Sequence, residues 1–115
     1  MGEIQIVATF PEIAAANLDE FTKRAEEAAA AARDEAGTLR YDWFLSEDGT
    51  RCVVEEKYTN SAAVLVHLGN VGATVGSLAE LGGGLVVEVF GELSPDVRKV
   101  LAPSVRTFYS HLTGR

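Results

Sequence analysis

Cysteine, proline and basic residues are all scarce in this chain of 115 residues, and each shortage excludes something. A single cysteine, Cys52, cannot close an internal disulfide, nor build a thiolate zinc site, which draws on several cysteines. It reads instead as a small apolar residue in a strand. Ten Lys and Arg stand against 17 Asp and Glu, for a formal net charge of −7. That balance lacks the basic footprint that nucleic acid or an anionic membrane surface requires. The two histidines, His67 and His111, are far apart and form neither an H-x-x-x-H nor an H-x-E spacing, so no metal is expected. The run Gly82-Gly83-Gly84 has no Lys-Ser/Thr after it and precedes a strand, which excludes a phosphate loop and a dinucleotide fingerprint. No Ser-His-Asp or Cys-His pairing is suggested. No apolar segment is read as approaching the roughly 20 residues of a membrane span. The opening MGEIQIVATF has no basic n-region, so the expectation is a chain without a signal peptide in a soluble, reducing, cytoplasmic setting.

What remains is an ordinary globular composition, 47% hydrophobic and 23% charged, at the length of one domain. Ile4, Ile6, Ala8 and Phe10 alternate with Gln5, Val7 and Thr9, a strand with one wholly apolar face, ended by Pro11. A helix is predicted from about Asn17, as its cap, to about Glu35, with Asp19 and Glu20 in the first turn, where the helix dipole favours them. Its inward stripe is Leu18, Phe21, Ala25, Ala28, Ala29 and Ala32. Side chains this small let a helix lie close to a sheet, or leave a gap beneath it. Gly37 marks the stop as a residue tolerant of positive φ. Thr38 to Leu45 reads as a second strand with Leu39, Tyr41, Trp43 and Leu45 on one face. Asp48-Gly49 is the strongest hairpin signal in the chain, returning it along Arg51 to Tyr58.

The stretch EEKYTNSAAVLVHL, Glu55 to Leu68, is the centre of the reading. Glu56 and Tyr58 share a strand face by period two, and Asn60 caps a short helix. Ala63, Val64, His67 and Leu68 form that helix's buried stripe, ending at Gly69-Asn70. Three groups able to hold or move a proton thus meet at one corner. Val71 to Leu81 reads as a separate, mobile helical segment weakened by Gly72 and Gly76, each costing about 1 kcal/mol against alanine. Leu85 to Gly91 is the last predicted strand, and Ser94-Pro95-Asp96 opens a final short helix. The tail from Ser104 carries Phe108, Tyr109 and Leu112 and is expected to dock somewhere, a partner subunit included.

The order strand, helix, strand, strand, helix, strand is the ferredoxin-like βαββαβ arrangement, an α+β fold with a four-stranded antiparallel sheet. The core runs from about residue 3 to 91, with a short helix and tail over 94–115. Val7, Phe44 and Val53 make the uncovered sheet face more apolar than water favours, so a second copy is expected to cover it.

On Gly37-Thr38-Leu39-Arg40-Tyr41, on Glu56-Lys57-Tyr58 and on Ala63 followed by Val66-His67-Leu68, the chain resembles the antibiotic biosynthesis monooxygenase (ABM-like) family. The resemblance covers Ile4 to about Phe90. It implies a dimeric α+β barrel with a pocket between the sheet and helices of each subunit. It also implies a cofactor-independent monooxygenase of a small electron-rich aromatic or quinol. Relatives that degrade haem, and others with no assigned reaction, keep two alternatives open: haem degradation, and a non-catalytic binding or accessory dimer. Many relatives carry a second histidine where Gly69 to Gly72 stands here, which leaves a single-base mechanism or none. Within this frame His67 is the candidate base, Glu56 its orienter and Tyr58 a donor to a substrate oxygen. Trp43, Tyr41 and Asn60 are the candidate substrate contacts. The residues alone leave a plainer reading beside each role: a core-edge histidine hydrogen-bonded to Glu56 or a carbonyl, a capping interaction at the corner, and an aromatic pair in the core.

Overall fold

The computed structural model describes residues 2–114. Strands β1 (Ile4–Phe10), β2 (Thr38–Leu45), β3 (Cys52–Tyr58), β4 (Val86–Phe90) and β5 (Val105–Tyr109) form one sheet in the order β2-β3-β1-β4-β5. The first four pair antiparallel, and β5 lies parallel to β4. Helices α1 (Leu18–Ala32), α2 (Ser61–Leu81) and α3 (Pro95–Leu101) complete the chain. The alternation of β1 is realised as expected: Ile4, Ile6, Ala8 and Phe10 are buried under the helices. So is the hairpin, where Gly49 takes φ 76° and Asp48 Oδ1 accepts from the Thr50 N–H at 3.1 Å.

Five strands rather than four is the main correction to the expected architecture. The tail does not run free: α3 turns it back, and Val105 to Tyr109 adds a parallel edge strand to β4. Its apolar residues explain why. Phe108 packs into the core from the inner face, beneath the Arg98 guanidinium at 3.8 Å, and Tyr109 stacks on Phe90 at 4.6 Å between centroids on the outer face.

A second correction concerns α2, which runs unbroken for 21 residues through Gly69, Gly72 and Gly76. Val64, His67, Val71 and Leu78 hold one buried face along its whole length, so packing overrides the weak propensity of the glycines. By length and apolar composition this helix would suffice to cross a bilayer, a match hidden when the segment is divided at Gly69-Asn70. Two smaller expectations also change. Asn17 sits at the start of α1 without a side-chain capping bond, because a 3-10 turn over Ala15–Asn17 leads the chain in. Gly37 is not at positive φ; a Cβ there would lie 2.5 Å from the Ala63 Cβ, so glycine is required for close approach between the α1–β2 turn and α2.

Both outcomes foreseen for the alanine stripe of α1 occur. Ala28 and Ala32 are buried at close range, whereas Ala25 and Ala29 border a cavity of about 330 Å³ over β2.

Candidate active site

The chemistry gathers at the end of the sheet where α1 finishes, β2 starts, β3 finishes and α2 begins. The split βαβ path brings these four points together, although Ala32 and Ser61 are 29 residues apart in sequence. Because α1 stops at Ala32, Glu35 lies in the following turn and points back toward α2. His67, 4% exposed, sits one turn into the buried stripe of α2. Its Nδ1 is 2.8 Å from Glu35 Oε1.

Glu35 is held from three sides. Thr38 Oγ1 donates to Oε1 at 2.6 Å, and Asn70 Nδ2 donates to Oε2 at 2.7 Å while also reaching the Ala31 carbonyl at 2.9 Å. Burial pushes the Glu35 carboxyl up, but the bonds from Thr38, Asn70 and His67 outweigh it and leave the group below its usual range. An ionised Glu35 can only accept, so His67 Nδ1 must carry the proton. Burial also lowers the His67 pKa, against the pull of Glu35, which favours the neutral ring. A neutral imidazole protonated at Nδ1 presents a bare lone pair at Nε2.

Nε2 lies 3.9 Å from Glu56 Oε1, beyond hydrogen-bond range. One oxygen at about 2.8 Å from each could bridge them. Glu56, 8% exposed, accepts from the Tyr58 hydroxyl at 2.5 Å. Burial is the main reason its carboxyl is pushed up to about 7, with the Glu35 charge adding and the Tyr58 bond opposing. The same burial, with Glu56 nearby, raises the phenols of Tyr58 and Tyr41 and keeps them neutral. Glu56 and His67 together line a cavity of about 310 Å³ between α2 and the sheet, otherwise almost wholly apolar, with Ile6, Ala8, Val71 and Val87 among its walls.

The six residues singled out in the sequence separate into two groups. His67, Glu56, Tyr58 and Tyr41 meet: Tyr58 and Tyr41 pack on the imidazole with centroids 5.2 and 4.5 Å away. Tyr41 also pairs with Glu56 across the β2–β3 ladder. Tyr58 is completely buried and reaches the cavity through its bond to Glu56. Trp43 lies on the far side of Tyr41, stacks on Phe10 and faces the other cavity, under α1. Asn60 caps α2, accepting from the Ala63 N–H at 2.9 Å. It is Glu35, not Glu56, that touches His67 directly. Sequence reasoning does not reach Glu35 and Asn70, because it takes each as the end of a helix, whereas α1 stops at Ala32 and α2 continues to Leu81. The available signal was topological: in a βαββαβ path the α1–β2 turn and the β3–α2 turn share one end of the sheet.

The element order and the sheet place the chain in the class of small ferredoxin-like α+β proteins. The particular family is shown by its profile: antibiotic biosynthesis monooxygenase matches residues 4–74, and the chain belongs to that family. Among solved structures it is similar to MupZ from Pseudomonas fluorescens, at 22% identity over 98% of this chain and 93% of that one, with a TM-score of 0.79. A Caulobacter crescentus protein given provisionally as an antibiotic biosynthesis monooxygenase is 26% identical over 81% of this chain and 92% of its own, with a TM-score of 0.69. Rv0793 from Mycobacterium tuberculosis is 22% identical over 80% and 96%, also with a TM-score of 0.69. The likenesses to MupZ and Rv0793 show the fold alone. The coverage of MupZ takes in α3 and β5. No curated protein matches.

Proposed function

We propose that the chain is a monooxygenase that needs neither metal nor flavin and acts on a small electron-rich aromatic or quinol-type molecule. One observation carries the reading: Glu35 fixes His67 so that Nε2 turns its lone pair into an apolar cavity beside a second, protonatable carboxyl. Nε2 removes the proton from a substrate hydroxyl, and the dry walls leave the anion poorly solvated and electron-rich. That anion passes one electron to O2, and the two radicals join in a carbon–oxygen bond. A proton from His67 or Glu56 completes the hydroperoxide. Loss of the remaining C–H proton then breaks the O–O bond, leaving a carbonyl and releasing water. Overall the hydroxyl and C–H hydrogens of the substrate leave as H2O, one atom of O2 becoming the oxygen of a new C=O and the other that of the water. The substrate supplies all four electrons, so no outside reductant is required. Tyr58 and Tyr41 hold the imidazole and Glu56 in place. Two copies of the chain, packed through their open sheet faces, complete the working unit.

The test is oxygen uptake with a panel of quinols and anthrone-type phenols. His67→Ala is expected to lower turnover by about 10²-fold or more, the usual worth of a general base, while circular dichroism stays native. Undiminished uptake by the folded variant would remove His67 from the chemistry. Uptake by neither protein, with saturable binding of the same molecules, would favour a binding protein.

A further inference from the structure

Glycine inside a helix normally answers to a close approach by neighbouring atoms, and α2 contains three glycines that meet no such need. Gly69, Gly72 and Gly76 are absent from the positive-φ glycines, and a Cβ at each would meet nothing within 4 Å. Each nevertheless weakens the helix relative to alanine. Two of them, Gly72 and Gly76, line the cavity that holds His67 and Glu56, on one line of the helix with Leu68; Gly69 does not line it.

The depth of that cavity is graded. At its floor Ile6, Ala8, Glu56, His67 and Val71 are buried. At its rim Leu68, Gly76, Val100 and Ser104 are exposed, Val100 by 58%. The way in therefore runs between the glycine face of α2 and the segment from α3 to the start of β5. That far wall, from α3 to the start of β5, lies beyond residues 4–74 matched by the family, whereas Gly72 lies within them.

We infer that Gly72 and Gly76, facing Val100 and Ser104, form the entrance to the His67 cavity and that its width decides the size of molecule reaching the imidazole. The inference rests on the proposed use of this cavity as the ligand site, but its test does not depend on catalysis. A thiol is placed on the floor by His67→Cys, and its rate of reaction with thiol reagents of increasing size, from methyl methanethiosulfonate to N-pyrenylmaleimide, is followed by mass spectrometry. Native Cys52, 3% exposed, serves as the slow internal reference. Gly72→Leu or Gly76→Leu is expected to slow the largest reagent by about tenfold, roughly 1.4 kcal/mol on the barrier. The smallest reagent should change by no more than about twofold, equivalent to well under 1 kcal/mol. Gly69→Leu, on the same helix but outside the cavity, should leave every rate at its parent value. Equal slowing by Gly69→Leu, or no slowing by the other two, would show that molecules enter elsewhere.

Alanine at the two positions guards against misfolding, since it strengthens the helix; Gly72→Ala/Gly76→Ala should give a smaller slowing in the same direction. If His67→Cys does not fold, ethoxyformylation of native His67 relative to exposed His111 reads the same access, and the leucine pair should lower that ratio. Size-graded access combined with undiminished oxygen uptake in His67→Ala would keep the entrance and discard the reaction.

Discussion

Two groups of opposite tendency face each other at the bottom of the cavity, and their titrations predict how the site responds to pH. Burial lowers the His67 pKa from near 6.5, so the base is already free on the acid side of neutrality. Glu56 is pushed up to about 7 and keeps its proton until near neutral pH. If Nε2 must be bare and Glu56 must donate, activity rises below pH 6.5 and falls again above about 7. Glu56→Gln should keep the rising limb and abolish the falling one; a profile unchanged in that variant would deny Glu56 its part. The linkage to folding has a definite sign. Between the ordinary 4.5 and about 7 the folded chain binds more protons at Glu56 than the unfolded chain does, so this group's contribution to stability declines as pH rises through that window. Chemical denaturation of Glu56→Gln at pH 5 and pH 8 should show a smaller loss between the two than the parent does. These residues were legible in part. His67, Glu56 and Tyr58 stood out because their types and spacing are unusual at a strand–helix corner. Glu35 did not, because its partner is 32 residues away and its orientation depends on where α1 ends.

At the level of elements, capping and proton chemistry are separable, and Asn60 is the place to separate them. Its Oδ1 satisfies the Ala63 N–H at the start of the helix that carries His67. Asn60→Ala is expected to cost about 1 kcal/mol of stability in urea denaturation. Turnover by the folded fraction should remain near the parent value. A large fall in turnover without loss of stability would return Asn60 to the list of substrate contacts. The same element shows how sequence patterns mislead. Gly69, Gly72 and Gly76 dilute the helical signal of α2, so the chain reads as a short helix followed by a mobile one. Val71 and Leu78, both almost completely buried, join the halves through tertiary packing that no local window contains. At the other end, α3 was legible from Ser94 and Pro95. Strand β5 was not, since five residues with weak alternation become a strand only when β4 offers a free edge.

For the whole molecule the remaining question is the sheet face turned away from the helices, where Phe44 is 53% exposed beside half-exposed charged neighbours. That face combines Phe44 and Val53 of the β2–β3 ladder with Arg40, which pairs with Asp42 at 3.5 Å and with Glu55 at 3.1 Å. Burying such a face against its own copy suits a two-fold interface, in which every patch meets itself or its exchange partner. In such an interface the charged pairs would supply register and Phe44 apolar area. Sedimentation equilibrium should therefore give twice the 12.3 kDa of the chain. Phe44→Glu would place two buried or closely spaced carboxylates across that interface in a protein already at net −7, and should shift the population toward monomer. Low salt should accentuate the shift, because like charges are then screened least. His67 lies on the opposite side of the sheet, under α2, so the monomeric variant tests whether the cavity works alone. Turnover retained at the monomer mass would make the dimer a device of stability; turnover lost with native helicity would tie the site to its second copy. A parent protein sedimenting at 12.3 kDa at micromolar concentration would sink the dimer and leave the exposed phenylalanine for another partner.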